Sequence, residues 1–213
     1  MEKNGRGMAH AKTGKARLGE PTVTASDWAE AALQLIAEKG LGALTISTLA
    51  SRLDVTKGSF YWHFTGRDEL LAAALGRWER SIGDIIRSLD AIPDPRRRLE
   101  LILEAASQPP RSRSLYAALA EAAEHPVVRK VLQRVASARI DYLEQCYRGL
   151  GLAAPLAKAQ AVFAYAAYRG LLQLAHEAPA SLPSEWASYA ALNRQTFVPP
   201  LPRSRPRRER SRR

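Results

Sequence analysis

The spacing of the apolar residues constrains this chain more than any other feature. Through its middle they recur every three or four positions, and Val, Ile and Thr never alternate with polar residues over a strand's length. Trp28, Ala31, Ala32, Leu35 and Ile36 form one stripe, stopped by Lys39-Gly40. Ile46, Leu49, Ala50 and Leu53 form a second, short stripe. The same period predicts helices over 67–89, 95–107, 114–124, 126–150, 154–177 and 184–196, with prolines marking the breaks between them. The expected fold is all-α: a small N-terminal group of three helices followed by a larger helical body.

Length and charge narrow the possibilities further. The 213 residues are enough for one core or two small ones, and 46% of them are hydrophobic. No run of about 18 uninterrupted apolar residues occurs, so no membrane span is expected. The polar start, MEKNGRGMAHAKTGK, lacks the apolar stretch of a signal peptide. A single cysteine, Cys146, leaves no disulfide framework. These features together predict a cytoplasmic protein. The net charge of +11 is concentrated at the ends: residues 203–213 carry seven Arg against one Glu, and residues 1–20 five basic against two acidic side chains. Basic ends suit a polyanion such as DNA, RNA or an anionic membrane surface, and equally a solvated tail. The arm 1–21 and the Arg/Pro-rich tail 199–213 are expected to be disordered.

The stretch that bears on function is TISTLASRLDVTKGSFYWHF, residues 45–64. Thr45 is suited to cap a helix running to Leu53. Asp54 tolerates the left-handed backbone that a tight turn needs, and Thr56 is placed to cap a second helix. Val55 before that cap and Phe60 four residues after it form a hydrophobic staple. Two short helices around a tight turn make a helix-turn-helix, whose second helix enters the major groove. On that helix Phe60 and Phe64 face inward, while Lys57, Ser59, Tyr61, Trp62 and His63 crowd the other side. Tyr and Trp hydrogen-bond phosphate and meet thymine methyls, and Lys57 donates to guanine. Gly58 is costly in a helix, and a close approach to DNA accounts for it. The alternative for Tyr61, Trp62 and His63 is packing on neighbouring helices.

The run KGLGALTISTLASRLDVTKGSFYWHFTGRDELLAAAL resembles the DNA-binding domain of TetR-type repressors. It shares the Gly before a capped helix, the VTKGSFYWHF segment and the basic-acidic-Leu-Leu opening of the following helix, over roughly residues 22–82. The resemblance implies phosphate contacts from Thr45 and Thr56, base contacts from Lys57, Gly58 and Ser59, and backbone bracing by Tyr61, Trp62 and His63. Arg67 stands where such domains usually have Lys, and Asp54 where Gly is common. The resemblance further implies an effector-binding and dimerisation region over 83–198, a double-stranded operator as partner, and a homodimer whose last two long helices pair. Ala159, Phe163, Ala166, Gly170 and Trp186 are the candidates for that interface.

Trp78, Tyr116, Tyr142, Phe163, Tyr165 and Tyr168 are candidates to line a pocket for a partly apolar small-molecule effector, although aromatics at helical spacing also serve as core. Gly40-Leu41-Gly42 follows a helix rather than a strand and lacks the third glycine of a dinucleotide loop. The four histidines show no ligand spacing, so no metal is expected. Cys146 reads as core, no Gly-x-Ser-x-Gly elbow occurs, and no cofactor or catalytic residue is assigned. The function expected is transcriptional regulation, with repression released by the effector. The rivals are an activating or effectorless regulator, a non-specific architectural protein relying on its Arg-rich ends, and a helical enzyme.

Overall fold

A computed structural model describes residues 23–108 and 115–200; the basic arm 1–21 and the tail from residue 201 onward lie outside them. Nine α-helices and two short 3₁₀ turns, with no strand, make up the regular structure among the described residues. The N-terminal group is α1 (Ala25–Lys39), a 3₁₀ turn (Leu41–Ala43), α2 (Ile46–Arg52) and α3 (Lys57–Phe60). The long α4 (Arg67–Asp90) leads to α5 (Pro95–Ala106), α6 (Leu115–Glu121), α7 (Pro126–Gly149), α8 (Ala154–Glu177), a second 3₁₀ turn (Pro179–Ser181) and α9 (Trp186–Phe197). The helix predicted over 114–124 stops at Glu121, because residues 122–125 tighten into turns ahead of Pro126.

Local chemistry sets these boundaries. Thr24 and Asp27 form a reciprocal capping box: the Thr24 N–H donates to Asp27 Oδ2 at 2.8 Å, and Thr24 Oγ1 accepts from the Asp27 N–H at 3.3 Å. The Thr24 hydroxyl, donating to Asp27 Oδ2 at 2.7 Å, and then the Thr24 N–H hold the Asp27 carboxyl below its ordinary pKa. At the other end of α1, Gly40 takes φ +78°, which a side-chained residue rarely adopts, and its N–H bonds the Ile36 carbonyl. Pro95 and Pro126 open α5 and α7 at positions where the missing N–H has no helical partner anyway.

Two apolar clusters organise the packing. The first is built on Trp28, Leu35, Phe60 and Leu71, and it continues without a break through Tyr116 and Leu119 to Val128 and Val131. The helix-turn-helix head therefore shares a core with α6 and the start of α7. The second cluster joins Leu99, Leu143, Tyr147, Ala161 and Phe197. Its polar ties hold α9 in place: Tyr147 donates to the Phe197 carbonyl at 2.9 Å, and Asn193 to Ser107 Oγ at 2.7 Å. Ion pairs cross between helices: among them Arg52–Glu38 joins α2 to α1, Arg77–Glu30 joins α4 to α1, and Arg134–Glu79 joins α7 to α4. Among the described residues no helix is long and apolar enough to cross a membrane.

Candidate nucleic-acid interface and internal cavity

The turn between α2 and α3 is a Schellman closure built on an aspartate. Asp54 adopts φ +54°, and among the described residues no other non-glycine has positive φ. The Val55 N–H bonds the Ala50 carbonyl at 3.0 Å, and the Asp54 N–H bonds Ser51 at 3.4 Å. This pattern turns the chain sharply and delivers Val55 into the cluster that holds Phe60, as the staple requires.

The α3 helix is a single turn, and its inward side is fixed by aromatic packing. Phe60 is wholly buried and meets Trp28 edge-on at 5.4 Å and Phe64 at 5.5 Å. Outward the picture reverses. Tyr61 is 63% exposed and Trp62 87%, with Thr56, Lys57 and Gly58 exposed and Ser59 half-buried. The alternative of packing on neighbouring helices therefore fails for Tyr61 and Trp62. It holds in part for His63, which is half-buried with Nε2 at 3.0 Å from the Val23 carbonyl.

Three other candidates differ in how much capacity they keep. Thr45 caps α2 as expected, accepting from the Thr48 N–H at 3.1 Å. Thr56 departs from expectation: it occupies the cap position of α3 with extended backbone, but its side chain makes no capping bond. Arg67 is half-buried, with Nε donating to the Leu44 carbonyl at 2.7 Å and Nη2 to Leu41 at 3.1 Å. Those bonds tie α4 to the loop before α2 and leave Nη1 for an outside partner. At Gly58 an added Cβ would touch Thr56 Oγ1 at an ordinary 3.6 Å, so nothing within the chain requires a glycine there.

With this geometry in place, the likeness to known proteins is specific. Residues 29–74 match the family described as bacterial regulatory proteins, tetR family. The HTH-type transcriptional regulator SrpR of Pseudomonas putida is 34% identical over 65 residues, which span 30% of this chain and 28% of that relative. Over those residues the chain is similar to the DNA-binding domains of the TetR family. Beyond the head, the TetR likeness is carried by the fold. A transcriptional regulator from Rhodococcus sp. Rha1 superposes with TM-score 0.66 at 25% identity, covering 81% of this chain and 93% of that one. A regulator from Saccharomonospora viridis, solved in complex with choline, gives TM-score 0.66 at 19% identity over 80% of this chain and 93% of that one.

The body of the chain holds a partly open cavity of about 300 Å³ between α4, α5, α7 and α8. Its walls are aliphatic, from residues such as Ile82, Ile86, Leu89 and Ile102, and Ile85 stands 56% exposed beside it. Of the six aromatic candidates, Tyr142, Tyr165 and Tyr168 line it. Tyr116 lies behind, its hydroxyl 2.7 Å from that of Tyr165, and Trp78 stacks on Tyr116 at 5.8 Å while lining a separate surface groove. Phe163 departs furthest: it is 58% exposed and stacks on Phe197, because α8 turns it away from the cavity.

Sequence reasoning missed the residue that gives the cavity its charge. Arg139 lines it, with its guanidinium 5.7 Å from the centres of both the Tyr116 and Tyr168 rings. A signal was present, since Arg139 continues the buried stripe Val128, Val131, Val135 at the step where α7 should carry an apolar residue.

The outer side of α8 carries the dimer candidates. Ala159, Phe163, Ala166 and Gly170 are all exposed and follow one another at four- and three-residue steps, with Leu156, Val162 and Leu174 beside them. A Cβ at Gly170 would meet nothing within 4 Å. On α9, Leu192 is 59% exposed and Trp186 half-buried. Cys146 is wholly buried, which pushes its thiol pKa up to about 11. Among the described residues no three His, Cys, Asp or Glu side chains are grouped so as to hold a metal ion.

Proposed function

We propose that this protein is a homodimeric transcriptional repressor that reads operator DNA through α2 and α3 and leaves it when a small molecule fills the cavity in its body. Residues 22–82 would read the DNA, and residues 83–198 would bind the effector and the second copy. The observation that carries this reading is the pairing on α3 of a wholly buried Phe60 with an exposed Tyr61 and Trp62 beside Lys57. Two large aromatics next to a cation on one short helix gain little from water, but they gain phosphate bonds and base contacts in a major groove. Thr45, Thr56 and the free Nη1 of Arg67 would hold phosphates, and Lys57, Gly58 and Ser59 would approach base edges.

The assembly follows from the outer side of α8. Small residues and Phe163 at heptad-like steps give a second copy a seam to pack against, with α9 completing a four-helix contact. Two heads then face successive major grooves about 34 Å apart. The α4 helix joins the cavity wall at Ile82–Leu89 to the head at Arg67, so a ligand that favours one tilt of α4 alters that separation.

Footprinting on DNA upstream of the protein's own coding sequence tests the reading. Protection of a two-fold site, lost with K57A and lost from the wild type on adding the effector, is the expected pattern. Wild-type binding by both K57A and Y61F would show that α3 is not the recognition helix.

A further inference from the structure

The one charged side chain that lines the otherwise largely apolar cavity among the described residues is Arg139. Arg139 makes no hydrogen bond or ion pair among the described residues; its guanidinium rests only between the Tyr116 and Tyr168 rings. Arg169 stacks on the opposite side of the same cluster, 4.0 Å from the Tyr116 ring centre, and donates through Nη1 to the Tyr116 hydroxyl. Its Nε is buried without a partner. Because Arg can only donate, Tyr116 accepts from it. Tyr116 then donates to Tyr165, and the Tyr165 proton is left to point elsewhere. Tyr142, which also lines the cavity, is buried, and its hydroxyl lies beside Arg98 and Asp90. No carboxylate or carboxamide lines the space among the described residues. Asp90, which lies near Tyr142, is held by Arg98 at 3.4 Å.

An arginine resting between tyrosine rings with no carboxylate beside it and an aliphatic wall around it suits a ligand that brings both an anion and an apolar body. We infer that the cavity binds a small carboxylate with an aliphatic or aromatic body, its anion held by Arg139 and its body lying along Ile82, Ile86 and Ile102. Arg169 would act behind Tyr116, orienting the tyrosine hydroxyls toward the anion. A volume of about 300 Å³ equals roughly ten waters at ~30 Å³ each, which suits a ligand on the order of ten heavy atoms. This inference rests on the effector-cavity reading above and gives it a chemical class. A cation, such as the choline bound by the Saccharomonospora viridis regulator, would meet Arg139 head-on in this cavity.

Calorimetric titration of the full-length, DNA-free protein with octanoate, octanamide and octylamine, matched in length, reads the charge preference directly. Octanoate should bind about tenfold or more tighter than the amide, with the amine weaker still, as charge-assisted bonds predict. R139Q should bring acid and amide to within about twofold of each other, and R139K should keep most of the preference. Thermal melts of both variants check that the fold survives. If octylamine or octanamide equals octanoate, the anion assignment is overturned while the cavity remains an effector site. If none of the three, and no shorter or longer homologue, binds or shifts the melt, the inference and the effector-cavity reading both fall. Neither outcome depends on DNA binding, which stands or falls on the footprint.

Discussion

Replacing Gly58 by alanine separates the fold from the function more cleanly than any other change in the head. Within the chain the new Cβ meets only Thr56 Oγ1, at 3.6 Å, and the backbone there is helical. Glycine in a helix costs up to about 1 kcal/mol relative to alanine, somewhat less in the first turn, where Gly58 lies. G58A should therefore leave stability unchanged or raise it by up to about 1 kcal/mol, a melting increase of at most about 2–4 °C in a protein of this size. On DNA the sign reverses. If bases or phosphates approach the Gly58 Cα, the methyl overlaps them, and such overpacking costs about 1–3 kcal/mol, or about five- to 150-fold in Kd. Differential scanning calorimetry and anisotropy titration of a footprinted fragment measure the two effects on one sample. Undiminished DNA affinity would refute the close approach. A melting temperature lower by several degrees would show instead that glycine serves the fold.

Other perturbations read the remaining elements. D54G should stabilise the protein by up to about 1 kcal/mol in chemical denaturation, because glycine adopts positive φ without the Cβ penalty and the Schellman bonds are unchanged. F60A should destabilise by about 3–5 kcal/mol, since it empties the space between Trp28 and Phe64, and circular dichroism melts should show it. G170L together with A166W should leave the isolated fold intact, both positions being exposed, yet lower the native mass to that of one chain in light scattering and weaken operator binding with it. I86W should fill the cavity and abolish ligand binding in calorimetry while the ligand-free protein still binds its operator.

Much of the head was legible because its constraints are local. The helical period, the Thr45 cap, the need for a left-handed residue at Asp54 and the Val55–Phe60 staple each involve residues within a turn or two of one another. Thr56 shows the limit of that reasoning, since a cap position does not oblige the side chain to make the bond. The cavity was only half legible for a geometric reason. Successive residues on a helix are about 100° apart, so Phe163 and Tyr165 on α8 point in nearly opposite directions. Both look alike in a list of aromatics, but Tyr165 reaches the cavity and Phe163 the outer seam. Which of the two faces inward depends on how α8 is rotated against α7, and that is set by Ala157, Ala161 and Ala164 packing along the seam. The donors at Arg139 were hidden by the habit of reading an arginine as solvated.

The placement of the ion pairs explains why α4 is suited to carry a signal between these two regions. At about 1.5 Å per residue its 24 residues span about 36 Å, with Arg67 at one end and the cavity wall at the other. Between them, Arg77 holds Glu30 and Ser26 of α1 while Glu79 takes a bidentate bond from Arg134 of α7. Both clamps therefore sit within two residues of each other near the middle of the helix. Exposed pairs of this kind add little stability, but they fix a position about which a rigid helix can tilt. On the proposed reading, a ligand that spreads Ile82–Leu89 from α5 would move one arm of α4, and the other arm would move the carbonyl contacts that Arg67 makes ahead of α2. Because α6 shares the head's apolar core, the head would follow as a body rather than shear from α4. Shifts of about 1–2 Å at such an interface are enough to switch packed elements between states. The required energy is the ligand's preference for one tilt over the other, and a charge met by Arg139 in one state only would supply it.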